Sequence, residues 1–246
     1  MTAMVRPPSS SARTAKALRP YDAASLLLVD RSGSKPRILM GRRHASLVFM
    51  PGKFVFPGGR ADPIDGAIAA TAELNENDVA KLLAGMGSRA SLRRARALGL
   101  CAVRETFEET GLRIGQTTSG PIALPMHRDW SAFLDNGMMP ALDSLRYFAR
   151  AVTPPDNVRR FDTRFFIVFR DQVPELDGQS LVPSGELEDL DWVSIDQIDK
   201  LDVAHITQAI LKEARVLLSN TKPELPPTLP VVQYSKRHGR FVREVI

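Results

Sequence analysis

The chain has 246 residues, 43% of them hydrophobic and 25% charged, and a formal net charge of +5. These fractions exclude a long coiled coil, a collagen and wholesale disorder, and no apolar run approaches the roughly 18 residues of a membrane helix. A single cysteine, Cys101, excludes an internal disulfide and any Cys-rich zinc site, and points to a reducing compartment.

The first 20 residues are rich in Ser, Pro and Arg and contain no acid, so they read as a disordered leader. The leader lacks the apolar core of a secretory signal, and the expected compartment is the cytoplasm, or an organelle if the leader is a transit peptide. Arg6, Arg13, Lys16 and Arg19 all precede the first acid, Asp22, and Lys236, Arg237, Arg240 and Arg243 form a second basic cluster. Between the two the chain is near neutral, so a large nucleic-acid face is not expected.

Ala23 to Asp30 reads as a buried strand that turns through Arg31–Pro36 into a second strand at Ile38 to Gly41. Phe54 to Phe56 is a short strand stopped by Pro57-Gly58-Gly59. Leu74 to Met86 is predicted helical. Ser91 to Thr110 is a longer helix with Ser91 as N-cap and Gly111 just past its end. One or two helices are predicted across Trp130 to Arg150, then strands at Phe161 to Arg170 and Leu190 to Val193, and a last helix over Ala204 to Ser219. Residues 221–246 form a Pro-rich and then basic arm. Without a regular βαβ alternation, this order implies an α/β fold with a mixed sheet and helices on both faces.

The chemistry concentrates in Arg104-Glu105-Thr106-Phe107-Glu108-Glu109-Thr110-Gly111-Leu112. On a helix, Glu105, Glu108 and Glu109 share one stripe about 100° wide, while Leu100, Val103 and Phe107 form the opposite, apolar ridge. Three like charges at this spacing repel one another, and a hard divalent cation would remove the repulsion. A solvated acidic face is the alternative.

The end of this segment resembles the second half of the Nudix box, G-x5-E-x7-R-E-U-x-E-E-x-G-U, where U is a bulky apolar residue. Thr106 stands where an aliphatic residue is usual. The expected first Glu falls at Asp65, and the interval from Gly59 to Arg104 is 45 residues, 31 more than the pattern allows. An inserted segment of about residues 66–90 therefore splits the box. With Phe49 to Gly59 and Arg159 to Phe166, the interrupted box looks like the branch containing the peroxisomal coenzyme A diphosphatases. The Arg that related coenzyme A motifs place four residues before Gly52 is Val48 here, with Arg42 and Arg43 nearby.

The resemblance implies a Nudix-type α/β/α sandwich over residues 21–220, with a mixed β-sheet and an inserted helical segment. It also implies Mg²⁺ or Mn²⁺ held by Glu105, Glu108 and Glu109 and by a backbone carbonyl at Gly59. Arg104 would orient the carboxylates. Glu108 and the loop residue Glu186, with Glu188 as second choice, are the candidates for proton transfer. Arg42, Phe56, Gly58 and Arg164 are the candidate substrate contacts. The implied substrate is a small-molecule nucleoside diphosphate derivative, coenzyme A or acyl-coenzyme A first. ADP-ribose, dinucleotides and nucleotide sugars, or binding without turnover, are the alternatives, and RNA-end processing is a weaker one. No membrane partner is expected, and a homodimer stays open. His44 and His127 lack a helical His partner, and Cys101 reads as packing.

Overall fold

The computed structural model describes residues 19–47, 50–120, 122, 126–155, 157, 159–220, 224–237 and 240–246. The leader up to residue 18 and Val48 lie outside the described residues.

The elements in chain order are β1 (Tyr21–Asp30), β2 (Arg37–Arg43), β3 (Phe54–Val55), β4 (Gly58–Arg60), α1 (Glu76–Ala84) and α2 (Leu92–Thr110). They continue with β5 (Gly115–Thr117), α3 (Arg128–Phe133), β6 (Met138–Pro140), β7 (Arg146–Val152) and β8 (Phe161–Phe169). The last are β9 (Leu187–Ser194), α4 (His205–Asn220), β10 (Val232–Arg237) and β11 (Arg240–Val245).

The main sheet has nine strands in the order β11-β10-β7-β8-β1-β2-β3, with β4 added on β1 and β9 on β2. It is mixed, because β1 runs parallel to β8 and β10 parallel to β7 while the other pairs are antiparallel. The central strands are apolar almost throughout because both of their faces are buried. Leu26 and Leu28 of β1 and Phe166 and Val168 of β8 pack with α2 on one side. Leu27, Val29, Phe165 and Ile167 join Ile210, Leu211 and Ala214 of α4 on the other. The result is helices on both faces of a mixed sheet, as expected from the sequence.

The details differ from expectation in the second half. Across Trp130 to Arg150 the chain completes α3 (Arg128–Phe133), makes one 3-10 turn at Asp135–Gly137 and then carries β6 and β7. Asn136 and Gly137, at φ 59° and 78°, end the helical stretch. Arg146–Val152 is rich in helix-forming Arg and Ala, but pairing with β8 and burial of Tyr147, Phe148 and Ala149 outweigh that preference. The strand expected at Leu190 to Val193 is longer, Leu187–Ser194, because it pairs along β2. The segment expected as a Pro-rich and basic arm carries two further strands of the main sheet. In the inserted segment, α1 starts at Glu76, where the Asn75 side chain accepts from the Asn77 amide. Among the described residues, no helix is long and apolar enough to cross a membrane.

Candidate active site

The site is built on the C-terminal half of α2. The helix starts where the Ser91 hydroxyl accepts from the Arg94 amide, 3.2 Å, and ends at Gly111, whose φ of 77° suits a residue without Cβ. Leu98, Ala102 and Val103 are buried against the sheet, so the register of the helix is fixed. Thr106 is fully buried and donates its hydroxyl to the Ala102 carbonyl at 2.7 Å. That internal bond satisfies the hydroxyl where an aliphatic side chain is usual.

Glu109 is bonded to β4, and Glu105 and Glu108 to one arginine. Glu109 accepts from the Gly58 amide at 2.9 Å. Arg104 donates from one terminal nitrogen to Glu105 at 3.0 Å and to Glu108 at 2.7 Å. A Cβ on Gly58 would stand 2.3 Å from the Ser25 hydroxyl, and one on Gly59 would stand 2.5 Å from the Glu105 carboxylate. The Gly-Gly step is therefore a steric requirement of β1 on one side and of Glu105 on the other. The Gly59 carbonyl accepts a long contact, 3.6 Å, from the Cys101 thiol.

Behind Arg104 lies Asp65. Fully buried, it accepts from Arg104 Nε at 2.8 Å, Arg104 Nη2 at 3.1 Å, the Trp130 indole at 2.8 Å and the Asp62 amide at 2.8 Å. Arg104 Nη2 also donates to the Arg60 carbonyl at 3.0 Å. Every nitrogen of the guanidinium is used, so the plane from which Glu105 and Glu108 hang cannot turn. The sequence pattern located Asp65, but nothing in it joined Trp130 to the same carboxylate. The one local signal is chemical: a buried indole needs an acceptor.

All three glutamates resist ionisation. Burial, with repulsion from Glu108 working against the pull of Arg104, raises Glu105 to about 7. Burial raises Glu108, opposed chiefly by Arg104. Burial and the charge of Glu105 raise Glu109 well above the usual range, against the Gly58 amide and Arg43. Burial also raises the Cys101 thiol, consistent with a packed and unreactive cysteine. Among the described residues, no three His, Cys, Asp or Glu side chains are already gathered around one point. The donor set still fits a hard divalent cation in kind: crowded carboxylate oxygens, whose mutual repulsion such an ion would relieve.

The other candidates divide. Glu186 is exposed in the loop before β9, and its charge acts on Glu109. Glu188 instead reaches His44 at 3.4 Å. Arg42 lies over the Phe54 ring and pairs with Asp189 at 3.1 Å, while the adjacent Arg43 supplies the charge felt by Glu109. Strand geometry sends neighbouring side chains to opposite faces. Phe56 is not open to a substrate, being 4% exposed and set edge-on to Phe165 in the core on the α4 side. Arg164 is 1% exposed and pairs with Asp162 at 3.0 Å and Asp22 at 3.2 Å. Asp22 in turn binds Arg94 at the start of α2, so Arg164 belongs to a buried network away from the glutamates. His127 caps α3 by accepting from the Trp130 amide.

No family model matches the chain. A Caenorhabditis elegans protein with the provisional name nudix hydrolase 7 is 27% identical over 180 residues, 70% of this chain and 50% of that protein. The chain thus spans about half the length of the curated relative it matches. The crystal structure of a NUDIX hydrolase from Alicyclobacillus acidocaldarius is similar with a TM-score of 0.57 and 25% identity, covering 85% of this chain and 99% of that one. A helix carrying Arg104, Glu105, Glu108 and Glu109 against a Gly-Gly strand, together with these likenesses, supports the chain's membership of the Nudix hydrolase superfamily.

Proposed function

We propose that the chain is a divalent-metal-dependent diphosphatase that hydrolyses a nucleoside diphosphate linked to another moiety. The observation that carries this reading is the set of three crowded glutamates beside Gly58 and Gly59, the buried Glu109 held by the Gly58 amide and the half-buried Glu105 and Glu108 held by Arg104. Glu105, Glu108 and Glu109, with the Gly59 carbonyl, would hold Mg²⁺ or Mn²⁺, which when bound neutralises charge on the diphosphate oxygens.

The chain's own residues do the rest. Arg104, fixed by Asp65, holds Glu105 and Glu108 in one orientation. Glu186, or Glu108, takes a proton from the attacking water. The water oxygen bonds to one phosphorus, the bridging P–O bond breaks, and the second phosphate leaves on its own half of the substrate. Two phosphate monoesters result.

Coenzyme A and its acyl esters lead as substrates, giving the phosphopantetheine product and adenosine 3′,5′-bisphosphate. Support for this branch is the interrupted box and the Phe49 to Gly59 segment. ADP-ribose, dinucleotides and nucleotide sugars follow. The test is product-resolved hydrolysis of coenzyme A, acyl-coenzyme A, ADP-ribose, NADH and capped RNA with Mg²⁺ and with Mn²⁺, against Glu108→Gln and Glu109→Gln. Turnover of coenzyme A that both substitutions abolish is the expected result. Cleavage of a different diphosphate would overturn the substrate and keep the chemistry. No turnover with nucleotide binding retained would overturn the enzyme.

A further inference from the structure

A second cavity, of about 370 Å³, opens at the other end of α2 from the glutamates. Arg60, Arg89, Arg93 and Arg94 line it, with Asp22 and Asp62. Arg94 is committed to Asp22 through two hydrogen bonds of 2.5 and 2.6 Å. The other three arginines form no ion pair with a carboxylate among the described residues, although the charge of Arg89 acts on Asp22. Arg60 lies flat on the Tyr21 ring at 3.8 Å, which fixes its plane and leaves its N–H edges available. Among the described residues, Arg93 makes only a long contact, 3.5 Å, to the Pro63 carbonyl. Asp62 uses one oxygen on the Ile64 amide. Asp22 is already shared by Arg94 and Arg164, so the remaining three guanidinium groups face Asp62 alone, a surplus of at least two positive charges.

We propose that this cavity binds a phosphate monoester dianion, at a site separate from the scissile diphosphate. Its charge is covered by the surplus, and planar guanidinium forks match tetrahedral phosphate oxygens. The separation follows from the helix. Arg94 and Glu105 are eleven residues apart on α2, about 16 Å of rise. One strand links the two places: the Arg60 carbonyl accepts from Arg104, while its side chain reaches the cavity. Binding here does not depend on the diphosphatase reading.

The experiment is titration of the full chain with inorganic phosphate at pH 8 by calorimetry, at ionic strength held constant with sodium chloride. One saturable site is expected. Arg89→Gln combined with Arg93→Gln, both exposed, should weaken it about tenfold or more. Lys212→Gln, an exposed lysine on α4, should leave it unchanged, and so should Glu108→Gln. No saturable binding, or equal binding by the double variant, would overturn the site. Loss of binding in Glu108→Gln would place the phosphate at the glutamates and overturn it equally. A parallel measurement separates two sources of the dianion. Saturating phosphate that raises the KM of a substrate with a second monoester, but not of one without, makes the site a substrate contact. An unchanged KM for both makes free phosphate the ligand.

Discussion

Asp65 and Arg104 are 39 positions apart in sequence and share two hydrogen bonds, of 2.8 and 3.1 Å. The intervening segment with α1 leaves the site after Asp65 and returns the chain to it at α2. A pattern split in the sequence is thus whole in space, and Asp65 takes the role of holding the arginine that holds two glutamates.

Asp65→Asn removes the charge behind Arg104 while keeping the shape. Unpairing a buried ion pair typically costs about 3–5 kcal/mol, so the variant should melt well below the parent. Its kcat should fall by about two orders of magnitude as Glu105 and Glu108 lose their fixed support. A variant with parental kcat would show that the charge of Asp65 is not needed to position Arg104.

Gly59→Ala puts a methyl group where the Glu105 carboxylate stands. The carboxylate must move, so kcat should fall about a hundredfold or more, with far-ultraviolet circular dichroism retained. Gly87→Ala serves as the control: φ there is positive but no atom lies within 4 Å, so the cost is confined to stability.

Metal binding at the proposed site would be linked to stability. Mg²⁺ or Mn²⁺ that binds the folded chain should raise its melting temperature in proportion to the logarithm of its concentration. Glu108→Gln and Glu109→Gln should abolish most of that rise. Equal stabilisation of parent and variants by the metal would place the ion elsewhere.

Asp78 gives the pH dependence. It is fully buried on α1, and desolvation raises its carboxyl from 3.8 to about 6, against the Tyr147 backbone, Arg146 and Lys81. The folded chain therefore binds this proton more tightly than the unfolded chain. The stabilising contribution is complete below about pH 4 and is lost as pH rises through about 6, amounting to about 2–3 kcal/mol. Asp78→Asn should raise the melting temperature relative to the parent at pH 7.5 and not at pH 4. An identical difference at both pH values would rule this out.

The legible parts of the molecule were the local ones. Ser91 and Gly111 marked both ends of α2, and the apolar run of β1 marked a strand buried on both faces. The glutamate stripe followed from helical spacing alone. What escaped was set by partners distant in sequence. β7 carries helix-forming residues and becomes a strand because β8 pairs with it. Arg164 reads like an exposed strand cation until Asp22, 142 positions away, is found beside it. Phe56 precedes the glycines of the site but turns to Phe165 instead. Arg42 and Arg43 differ by one step of strand alternation, which the sequence could not assign without the register of β2 against β9.

The long parallel pairing of β1 with β8 also bears on how the chain is made. Nine successive positions of β1, starting at Tyr21, match residues 161–169. At a synthesis rate of about 5–20 residues per second, roughly ten seconds pass between the emergence of the two strands. Throughout that interval Leu26, Leu27, Leu28 and Val29 have an edge with no neighbour to close it. An unpaired apolar edge of this kind is open to self-association for as long as its partner strand is missing.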